Sequence, residues 1–479
     1  MVNTTINEET FLVGEFSMTT FPDIDNKRKS YENPELNLSS EDYSLLTDLY
    51  QLTMAACYVG EGIEQKQASF ELFARKLPEG FGYLIAMGLA QALEYLDKFC
   101  FSAAGLEALK ATGIFAHVPD KFWSLLAQAR FTGDVWAVPE GTAVFANEPL
   151  LRVEAPLWQA QLVETYLLNT LNYQTLVATK AARLRDVAGA EATLLEFGTR
   201  RAFSPQGSLW AARAALAGGF DATSNVLAAL KLGQKPSGTM AHAFVMALSA
   251  LEGSEEIAFS AFQRYFPNGT LLIDTFDTIA AAEKLAQKVN SGEIELAGVR
   301  IDSGNLEELS KAVRNLLPNV PIIVSGDIDE TEIVRLKANG ACIDGYGIGT
   351  KLVTGSPVNG VYKLVEIDGI PVMKNSSGKV TYPGRKQIWR TFGDGVVHDE
   401  LGLITEAKPS DSQPLLQLVV KQGQRLQLPE SLADLRSRTR DSVASLPPEC
   451  RNINTPVSCE VTISPDLQKL TQKVSKKNR

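Results

Sequence analysis

Four short apolar segments, each followed by polar residues or glycines, constrain the fold of this chain more than any other feature. They are TLLIDTFDT, LAGVRIDSGNL, VPIIVSGDIDE and CIDGYGIGTKLV, and they follow one another at intervals of about 25 residues. Helical patterns such as DTIAAAEKLAQKV and NLEELSKAVRNLL separate them. This alternation predicts an α/β fold with parallel strands and right-handed crossovers. Polar residues at the carboxyl end of each strand are typical of the active face of an α/β barrel.

Changes in composition along the 479 residues predict four segments. Residues 1–38 are polar and charged, which predicts a mobile tail. Residues 39–156 combine helical patterns with short strands and predict an N-terminal α/β domain, and the barrel is expected in residues 157–360. In residues 361–479, strand-like runs are broken by D-G and S-G turns, and we expect this segment to pack back on the N-terminal domain.

Bulk composition argues against several classes of protein. The formal net charge is -10, which disfavours a broad nucleic-acid surface. The chain has no run of eighteen apolar residues and begins without a signal-peptide pattern, so we expect a cytoplasmic protein that does not enter a membrane. The five cysteines are odd in number and form no CxxC pair, which disfavours a disulfide framework or a zinc knuckle and suits a reducing compartment.

The last two barrel segments end in SGD and in GIGT, two turns rich in small residues. Small residues allow backbone N–H groups to approach an anion closely, and a phosphate site is commonly built after the final strands of such a barrel. An ordinary glycine turn also explains each motif taken alone. Together, and in this order, they favour a phosphorylated ligand.

The stretch KPSGTMAHAFVMALSAL joins a turn to an apolar helical pattern. With Thr239 as the N-cap, His242 would occupy the third helical position. The side chains expected to anchor this helix in the barrel wall are Phe244, Val245, Met246 and Leu248. On this stretch alone, a packed histidine that bonds to the backbone is the alternative to a functional one.

Seven blocks of the sequence form a recognisable series: LLTDLYQLTMAACY, EFGTRRAFSPQG, GGFDATSNVLAA, GTMAHAFVMAL, GVRIDSGNL, GIGTKLVTGSPVNGVYKLV and PGRKQIWR. In this order they resemble the signature blocks of the nicotinate phosphoribosyltransferase family, which belongs to the class II phosphoribosyltransferases. The resemblance implies an irregular (β/α) TIM-like barrel with a second α/β domain formed from the N- and C-terminal segments. It also implies a homodimer with a shared active site.

The implied activity joins nicotinate to 5-phosphoribosyl 1-diphosphate and gives nicotinate mononucleotide and diphosphate, the first step of NAD biosynthesis from nicotinate. The resemblance implies coupling to ATP hydrolysis through a phosphohistidine at His242. The positive end of a helix dipole would favour a neutral imidazole and then the charge of a phosphoryl group. Mg2+ is implied as the cofactor of ATP and diphosphate, with Asp274 and Asp277 as outer-shell candidates and no dedicated metal cage.

The residues that the resemblance implies for nicotinate are Tyr50, Phe197, Thr239, Arg300, Ser224 and Arg200. Tyr50 and Phe197 match the aromatic pair that sandwiches the pyridine ring, and in amide-using relatives the tyrosine comes from the second subunit. The planar fork of Arg300 suits a carboxylate. Ser224 matches a position where nicotinamide-specific relatives have an aspartate, which would repel the acid. From the residues alone, two alternative roles stay open: Phe197 would be a core side chain, and Tyr50 would lie on the exposed edge of a helix.

The residues implied for phosphoribosyl diphosphate are Thr350, Gly349, Gly347, Ser325, Gly326, Ser303, Gly304, Arg201 and Ser204. Asp302 is implied as the catalytic carboxylate, which accepts hydrogen bonds from the ribose hydroxyls, and Lys180 as a further diphosphate contact. A charge pair or a turn is the alternative role for each of them. The transition state should carry positive charge on the ribose and negative charge on the leaving group, so such anion sites and carboxylates are needed.

Some residues and some activities stay open. The block PGRKQIWR either extends to the phosphate region or pairs with carboxylates, and His117 and His398 are expected on the surface. Nicotinamide is an alternative substrate, and quinolinate would need further basic groups. A non-catalytic phosphosugar-binding barrel has no need of a phosphoacceptor. A metal-dependent aldolase predicts a Schiff-base lysine or a ligand cluster at strand ends, and the sequence offers neither.

Overall fold

A computed structural model describes residues 36–376, 379–393 and 396–477 of the chain. Its helices are α1 (Leu49–Gly60), α2 (Leu89–Asp97), α3 (Ala103–Ala111), α4 (Asp120–Ala127), α5 (Leu157–Leu162), α6 (Glu164–Ala188), α7 (Pro205–Ala217), α8 (Val226–Lys231), α9 (His242–Glu252), α10 (Glu255–Tyr265), α11 (Thr278–Asn290), α12 (Leu306–Leu316), α13 (Glu330–Ala338), α14 (Thr350–Val353), α15 (Leu432–Ala444), α16 (Pro448–Arg451) and α17 (Pro465–Lys477). Its strands are β1 (Gln67–Ala74), β2 (Leu84–Ile85), β3 (Asp134–Ala137), β4 (Ala143–Val144), β5 (Pro149–Pro156), β6 (Thr193–Glu196), β7 (Ala222–Thr223), β8 (Leu271–Leu272), β9 (Val299–Ile301), β10 (Ile322–Gly326), β11 (Gly345–Ile348), β12 (Gly360–Ile367), β13 (Ile370–Pro371), β14 (Asn375–Ser376), β15 (Lys379–Val380), β16 (Lys386–Gly393), β17 (Val396–Leu403), β18 (Gln413–Pro414), β19 (Gln417–Lys421), β20 (Gln424–Arg425) and β21 (Val461–Ile463).

Six parallel strands form one sheet in the order β7-β6-β11-β10-β9-β8. Helices α11, α12 and α13 connect β8, β9, β10 and β11 in turn. The alternation predicted for residues 270–353 is therefore confirmed. Strand side chains such as Val299, Ile301 and Val324 are fully buried, as expected for a parallel sheet covered by its crossover helices.

The strand order of this sheet is almost cyclic, because β11 returns to pair with β6. Among the described residues, however, β7 and β8 do not pair with each other. The chain between them forms helices α8, α9 and α10 and contributes no strand. The α/β fold with a parallel sheet is confirmed, whereas a closed TIM-like barrel is not.

Strands from the two ends of the chain share a second, antiparallel sheet, in the order β13-β12-β1-β5-β3-β19-β20. Strand β1 pairs with β12 on one side and with β5 on the other. Strand β3 pairs with β19. A further sheet, β18-β16-β17-β21, is built from C-terminal strands. The segment after residue 360 thus completes a sheet that begins before residue 75, while the domain boundaries themselves stay a prediction.

The 25-residue helix α6 contributes to both hydrophobic cores. Its Val177 and Ala181 pack in the core around the parallel sheet. Its Leu167 and Leu171 pack in the core around the antiparallel sheet. Since full burial of a leucine contributes about 1.5–3 kcal/mol, this helix is a strong link between the two sheets.

Three remaining expectations concern the cysteines, the tail and the membrane. Cys450 and Cys459 form one disulfide, a bridge that the odd number of cysteines does not predict. The chain turns back after α16, where the N–H of Val457 donates to the carbonyl of Glu449 over 3.0 Å, and this turn brings the two sulfur atoms together.

The predicted tail falls almost wholly outside the described residues. No described helix is both long enough and apolar enough to cross a membrane.

Candidate active site

The carboxyl ends of the parallel strands bring several predicted site residues together. Arg300 lies on β9, and Asp302 follows that strand directly. Ser325 on β10 is paired in register with Gly347 on β11. Phe197 follows β6, which pairs with the other side of β11. Because parallel strands end at the same edge of a sheet, these five residues share one edge.

His242 begins helix α9, and its imidazole lies between a threonine and a carboxylate. Its Nδ1 is 3.1 Å from Oγ1 of Thr275, and its Nε2 is 3.9 Å from Oδ2 of Asp302. The side chains of His242 and Asp302 are each 37% exposed. One ring nitrogen is thus within hydrogen-bond distance of a hydroxyl, and the other faces the carboxylate of Asp302.

The predicted capping of this helix by Thr239 is wrong. The N-cap residue is Ala241, so His242 occupies the first helical position and not the third. The hydroxyl of Thr239 donates to the carbonyl of Met240 over 3.1 Å and accepts from Nη1 of Arg300. Thr239 therefore belongs to the surroundings of the arginine. His242 still lies in the first turn, at the positive end of the helix dipole.

The expected anchoring of α9 by four apolar side chains is only partly right. Val245 is fully buried, whereas Met246 is 55% exposed. Phe244 and Leu248 are half-buried against the core. Adjacent residues of an α-helix point in different directions, so a continuous apolar run cannot bury every side chain on one face. The helix therefore has an exposed apolar side.

The carboxylate of Asp302 faces the histidine, and that of Asp274 lies beside Asp302. Oδ2 of Asp274 accepts from the backbone N–H of Asp302 over 2.9 Å and from the hydroxyl of Ser303 over 2.7 Å. The hydroxyl of Ser325 donates to Oδ1 of Asp302. Oδ1 of Asp274 is buried without a hydrogen-bond partner. Ser325 thus fixes the orientation of Asp302, and Asp274 offers a free acceptor for a hydroxyl or a hard cation.

The guanidinium of Arg300 is largely buried and lies near an aromatic ring. Besides its bond to Thr239, it lies 3.9 Å from Oδ1 of Asp302 through Nη2, and its Cζ is 6.0 Å from the ring centroid of Phe197. Burial lowers the pKa of Arg300, neighbouring carboxylates led by Asp302 counter this effect, and the charge of Arg200 adds to it. An arginine stays charged under such conditions. Two cations and an aromatic face therefore converge on one region.

Gly347 and Gly349 allow the chain to approach Phe197 closely. A Cβ at residue 347 would lie 2.5 Å from Cε2 of the Phe197 ring, and one at residue 349 would lie 3.0 Å from the carbonyl oxygen of Phe197. The N–H of Phe197 donates to the carbonyl of Ile348 over 2.9 Å. Glycine at 347 therefore has a packing reason in addition to the phosphate role, which stays a prediction.

The other glycine-rich turns lie at the same edge of the sheet. Gly326 ends β10 with a φ of 112°, and a Cβ there would lie 2.8 Å from the carbonyl oxygen of Asp302. Gly304 has a φ of 87°. Both values lie in the left-handed region, where glycine is unstrained. Thr350 begins α14, directly after Gly349.

The loop between β6 and α7 carries three more predicted residues, Arg200, Arg201 and Ser204. Both arginines are exposed, and the N–H of Arg201 donates to the carbonyl of Gly198 over 2.8 Å. Ser204 is the N-cap of α7, and its Oγ accepts from the N–H of Gly207 over 2.9 Å. A hydroxyl that accepts in this way retains its own proton for another partner.

Ser224 follows β7 and faces the turn that leads to α9. Its N–H donates to the carbonyl of Glu196 over 2.9 Å. A Cβ on Gly238, the residue before Thr239, would lie 4.0 Å from Cβ of Ser224. The serine is therefore a neighbour of the turn whose threonine contacts Arg300.

Known proteins are similar in sequence to this chain over most of its length. Three family models match it: the nicotinate phosphoribosyltransferase (NAPRTase) N-terminal domain at residues 45–172, the NAPRTase family at residues 192–394, and the nicotinate phosphoribosyltransferase C-terminal domain at residues 400–471. The nicotinate phosphoribosyltransferase pncB2 of Mycobacterium tuberculosis is 42% identical over 436 residues, which cover 88% of this chain and 91% of the relative. The chain belongs to the nicotinate phosphoribosyltransferase family.

Other members of the nicotinate phosphoribosyltransferase family are also similar. The nicotinate phosphoribosyltransferase of Bacillus subtilis is 43% identical over 383 residues, which cover 76% of each chain. The crystal structure of human nicotinic acid phosphoribosyltransferase superposes with a TM-score of 0.79 at 32% identity, covering 89% of this chain and 99% of the human one. Both the sequence and the fold are therefore those of the family.

The family predicts that Tyr50 and Phe197 form an aromatic pair, but the two residues have different surroundings within one chain. Tyr50 is 47% exposed on helix α1, which packs against α4 and α5. Partial burial, with a contribution from the carboxylate of Glu164, raises the pKa of Tyr50 to about 12. Phe197 neighbours Arg300 and Gly347, so the two aromatic residues have different neighbours within one chain.

The block PGRKQIWR pairs with carboxylates, which decides between its two alternatives. The pairs are Lys386 with Glu71 at 2.8 Å, Arg390 with Asp399 at 2.8 Å, and Arg385 with Glu154 at 3.0 Å. The first two pairs are buried. These residues therefore stabilise the antiparallel part of the fold, and each charge has a partner that offsets the cost of its burial.

Lys180 and Asp277 also have structural partners. The ammonium of Lys180 donates to the carbonyl of Thr354 over 2.8 Å, and burial lowers the pKa of this lysine. Asp277 is the N-cap of α11 and accepts from two backbone N–H groups at 3.0 Å each. His117 and His398 are exposed, as predicted.

Sequence reasoning missed three residues next to the site, namely Thr275, Glu196 and Thr223. Thr275 directly follows Asp274 after the apolar segment TLLI. A polar residue at the carboxyl end of a strand is a site candidate, and this signal indicates Thr275 as well as Asp274. Glu196 accepts hydrogen bonds from the N–H of Gly198 and from the hydroxyl of Thr223. Its signal was an acidic residue that ends the apolar strand TLLE.

Proposed function

We propose that this chain transfers the phosphoribosyl group of 5-phosphoribosyl 1-diphosphate to nicotinate, as the first step of NAD biosynthesis from nicotinate. The bond from the anomeric carbon to diphosphate breaks, a bond to the pyridine nitrogen forms, and diphosphate leaves with the electron pair. The observation that carries the proposal is the guanidinium of Arg300, bonded to Thr239 beside Phe197 and Asp302. This group offers an aromatic acid a cationic fork and an aromatic face, next to an acceptor for ribose.

In this proposal, nicotinate lies against Phe197 with its carboxylate toward Arg300 and Arg200. The hydroxyls of Thr239 and Ser224 complete the polar surroundings of the carboxylate. Serine at 224 brings no negative charge, so it favours the acid over a competing amide that needs an acceptor. Burial of Arg300 strengthens its attraction for an anion, because water screens the charge less.

The ribose and the phosphates would bind at the strand ends. Asp302, oriented by Ser325, accepts hydrogen bonds from the ribose hydroxyls and stabilises the positive charge that develops on the sugar. The residues proposed to bind the 5-phosphate are Ser325, Gly326, Gly347, Gly349 and Thr350, and those proposed for the ribose and diphosphate are Ser303, Gly304, Arg201 and Ser204. Arg201 is exposed, and it can bind the leaving group without losing an internal partner.

We further propose that ATP phosphorylates His242. The phosphorus–oxygen bond to ADP breaks, a phosphorus–nitrogen bond to the ring forms, and water later releases phosphate and restores the histidine. The tautomer in which Nδ1–H donates to Thr275 leaves a lone pair on Nε2, the nitrogen that faces Asp302. The phosphorylated enzyme would bind its substrates more tightly, and about 1.4 kcal/mol of coupling would give a tenfold change in affinity.

Mg2+ fits this site as a companion of ATP and diphosphate. Its preferred ligands are oxygens, and the buried Oδ1 of Asp274 lacks a hydrogen-bond partner beside Asp302. When bound, the ion would neutralise charge on the diphosphate. Asp274 would hold the ion directly or through water, whereas Asp277 is committed to capping a helix.

A cytoplasmic homodimer with a shared active site completes the proposal. Both Tyr50 and Met246 are about half exposed, at 47% and 55%. A second copy that covers α9 would bury apolar surface, and it could supply the second aromatic ring of the nicotinate slot. The nearly cyclic strand order supports an irregular barrel as the scaffold.

Competition between three bases tests the proposed activity. The purified chain is incubated with 5-phosphoribosyl 1-diphosphate, ATP and equal amounts of nicotinate, nicotinamide and quinolinate. We expect nicotinate mononucleotide as the main product. Predominant use of nicotinamide would contradict the role given to Ser224, and binding of the phosphosugar without turnover would favour a non-catalytic barrel.

A further inference from the structure

The buried carboxylate of Glu196 joins two chain segments that border the proposed nicotinate slot. Glu196 is only 1% exposed. Its Oε1 accepts from the backbone N–H of Gly198, and its Oε2 accepts from the hydroxyl of Thr223. Thr223 Oγ1 in turn accepts from the N–H of Asn225 over 2.9 Å. The threonine hydroxyl therefore has its proton directed to the carboxylate.

The two partners of Glu196 precede residues of the proposed slot. Gly198 lies between Phe197 and Arg200, at the start of the loop after β6. Thr223 precedes Ser224, whose N–H donates to the carbonyl of Glu196 over 2.9 Å. One residue thus holds both neighbouring segments, through its side chain and through its backbone.

The turn before α9 is tied to the same cluster. The N–H of Ser237 donates to the carbonyl of Thr223 over 2.9 Å, and Thr239, two residues later, contacts Arg300. A displacement of Thr223 would therefore shift both Ser224 and the turn that carries Thr239. The contacts connect Glu196 to both sides of the carboxylate end of the slot.

The chemistry of this cluster requires an acceptor at residue 196. Both partners donate hydrogen bonds to the side chain, so an amide in its place would direct an NH2 group at one donor. Burial raises the pKa of Glu196, while its bonds to Thr223 and Gly198 act in the opposite direction. The loop has little freedom to adapt, since a Cβ on Gly198 would lie 2.3 Å from a methyl group of Val353.

We propose that Glu196 and Thr223 are positioning residues that set the affinity of the slot for a pyridine carboxylate by holding Phe197, Ser224 and the Thr239 turn in one arrangement. This inference rests on the proposed transfer of phosphoribose to nicotinate. Neither residue contacts Arg300 directly, so both act through the segments that they hold. Gly198 begins the loop that also carries Arg201 and Ser204, so the hydroxyl of Thr223 is the contact whose loss should affect nicotinate binding more than binding of the phosphosugar.

Steady-state kinetics of Thr223→Val test the proposal. The variant keeps the shape of the side chain and removes the hydroxyl. We expect KM for nicotinate to rise about tenfold or more, as when a hydrogen bond to a charged group is lost. We expect kcat and KM for 5-phosphoribosyl 1-diphosphate to change less than about twofold. Thr223→Ser retains the hydroxyl and should restore KM close to the wild-type value.

Thr439→Val is a matched control for the loss of a buried hydroxyl. Thr439 is 2% exposed, and its hydroxyl donates to the carbonyl of Leu435 over 3.0 Å, within α15. This variant should lower the melting temperature while leaving KM for nicotinate unchanged. If Thr223→Val does not fold, Glu196→Gln serves as a second variant, with the same expected rise in KM.

The outcomes separate the inference from the function on which it rests. A wild-type chain that does not convert nicotinate overturns the proposed function and this inference with it. An active wild type, with Thr223→Val matching Thr439→Val in both KM and melting temperature, overturns the inference alone. A fall in kcat with an unchanged KM for nicotinate also contradicts it.

Discussion

Nε2 of His242 lies 3.9 Å from Oδ2 of Asp302, on the opposite side of the ring from Thr275, which is 3.1 Å from Nδ1. In the tautomer whose Nδ1–H donates to the threonine, Nε2 carries no proton and is nucleophilic. The histidine also lies at the first position of its helix, where backbone N–H groups favour negative charge. These features together make His242 the proposed phosphoacceptor.

The first prediction concerns labelling by ATP. Wild-type protein incubated with ATP labelled at the γ-phosphate should acquire label that is lost in acid and stable in base. His242→Ala should acquire none. His117→Ala, which changes an exposed histidine, is the control and should label like the wild type. Normal labelling of His242→Ala would show that another residue accepts the phosphoryl group.

The second prediction concerns Arg300, which bonds to Thr239 through Nη1. A lysine keeps the charge but lacks the planar fork whose separate N–H groups can bond to the threonine and, in parallel, to a substrate carboxylate. We expect Arg300→Lys to raise KM for nicotinate roughly ten- to a hundredfold, the cost of a hydrogen bond to a charged group. Arg335→Lys, at an exposed helix position that pairs with Glu332, should leave KM unchanged. Equal KM values for nicotinate in the two variants would contradict the proposed contact between Arg300 and the carboxylate of nicotinate.

The third prediction concerns the close approach of Gly347 to Phe197. A Cβ at residue 347 would lie 2.5 Å from the ring, so Gly347→Ala must displace Phe197 or the strand. We expect KM for nicotinate to rise and the melting temperature to fall by several degrees, as for an overpacked core. Gly60→Ala, where a Cβ meets nothing within 4 Å, is the control. Wild-type kinetics in Gly347→Ala would argue against the position of the ring.

The fourth prediction concerns the pH dependence of stability. Burial, together with the carboxylate of Asp399, raises the pKa of Glu148 well above 4.5. The folded state therefore binds a proton that the unfolded state has lost, so the contribution of Glu148 to stability falls as the pH rises above about 4.5. Glu148→Gln imitates the protonated form and avoids this loss. Its melting temperature should exceed that of the wild type by a margin that grows from pH 5 to pH 8.

A matched change on the surface calibrates this measurement. Glu107 is 72% exposed and pairs with Lys110 in α3, so Glu107→Gln should shift the melting temperature little at any pH. A margin for Glu148→Gln that stays constant or shrinks with rising pH would show that Glu148 is ionised in the folded protein.

Much of the parallel sheet could be predicted from the sequence, because each of its parts has a local signal. Apolar strands, periodic helices and polar strand ends recur within residues 270–353, and the structure places Asp302, Ser325 and Gly347 at one edge accordingly. The closure of the barrel has no such signal. It depends on whether β7 and β8 meet, and helices α8 to α10 lie between them in the chain.

The errors at the site arose where a distant residue changed a local preference. Threonine is a good N-cap, yet Arg300, 61 residues away, takes up the hydroxyl of Thr239, and the helix begins at His242. The disulfide between Cys450 and Cys459 likewise depends on a turn that no spacing rule indicates. The hydrogen bond between Glu196 and Thr223 cannot be predicted from the sequence, because the two residues are 27 positions apart.

Turnover of nicotinate with 5-phosphoribosyl 1-diphosphate, measured with and without ATP, tests the central proposal most directly. We predict formation of nicotinate mononucleotide in the wild type, acceleration by ATP, and ADP produced along with the mononucleotide. His242→Ala should lose the acceleration while keeping a slower, ATP-independent rate. No mononucleotide under either condition would contradict the proposed activity, and equal ATP stimulation of the wild type and His242→Ala would contradict the role of the histidine.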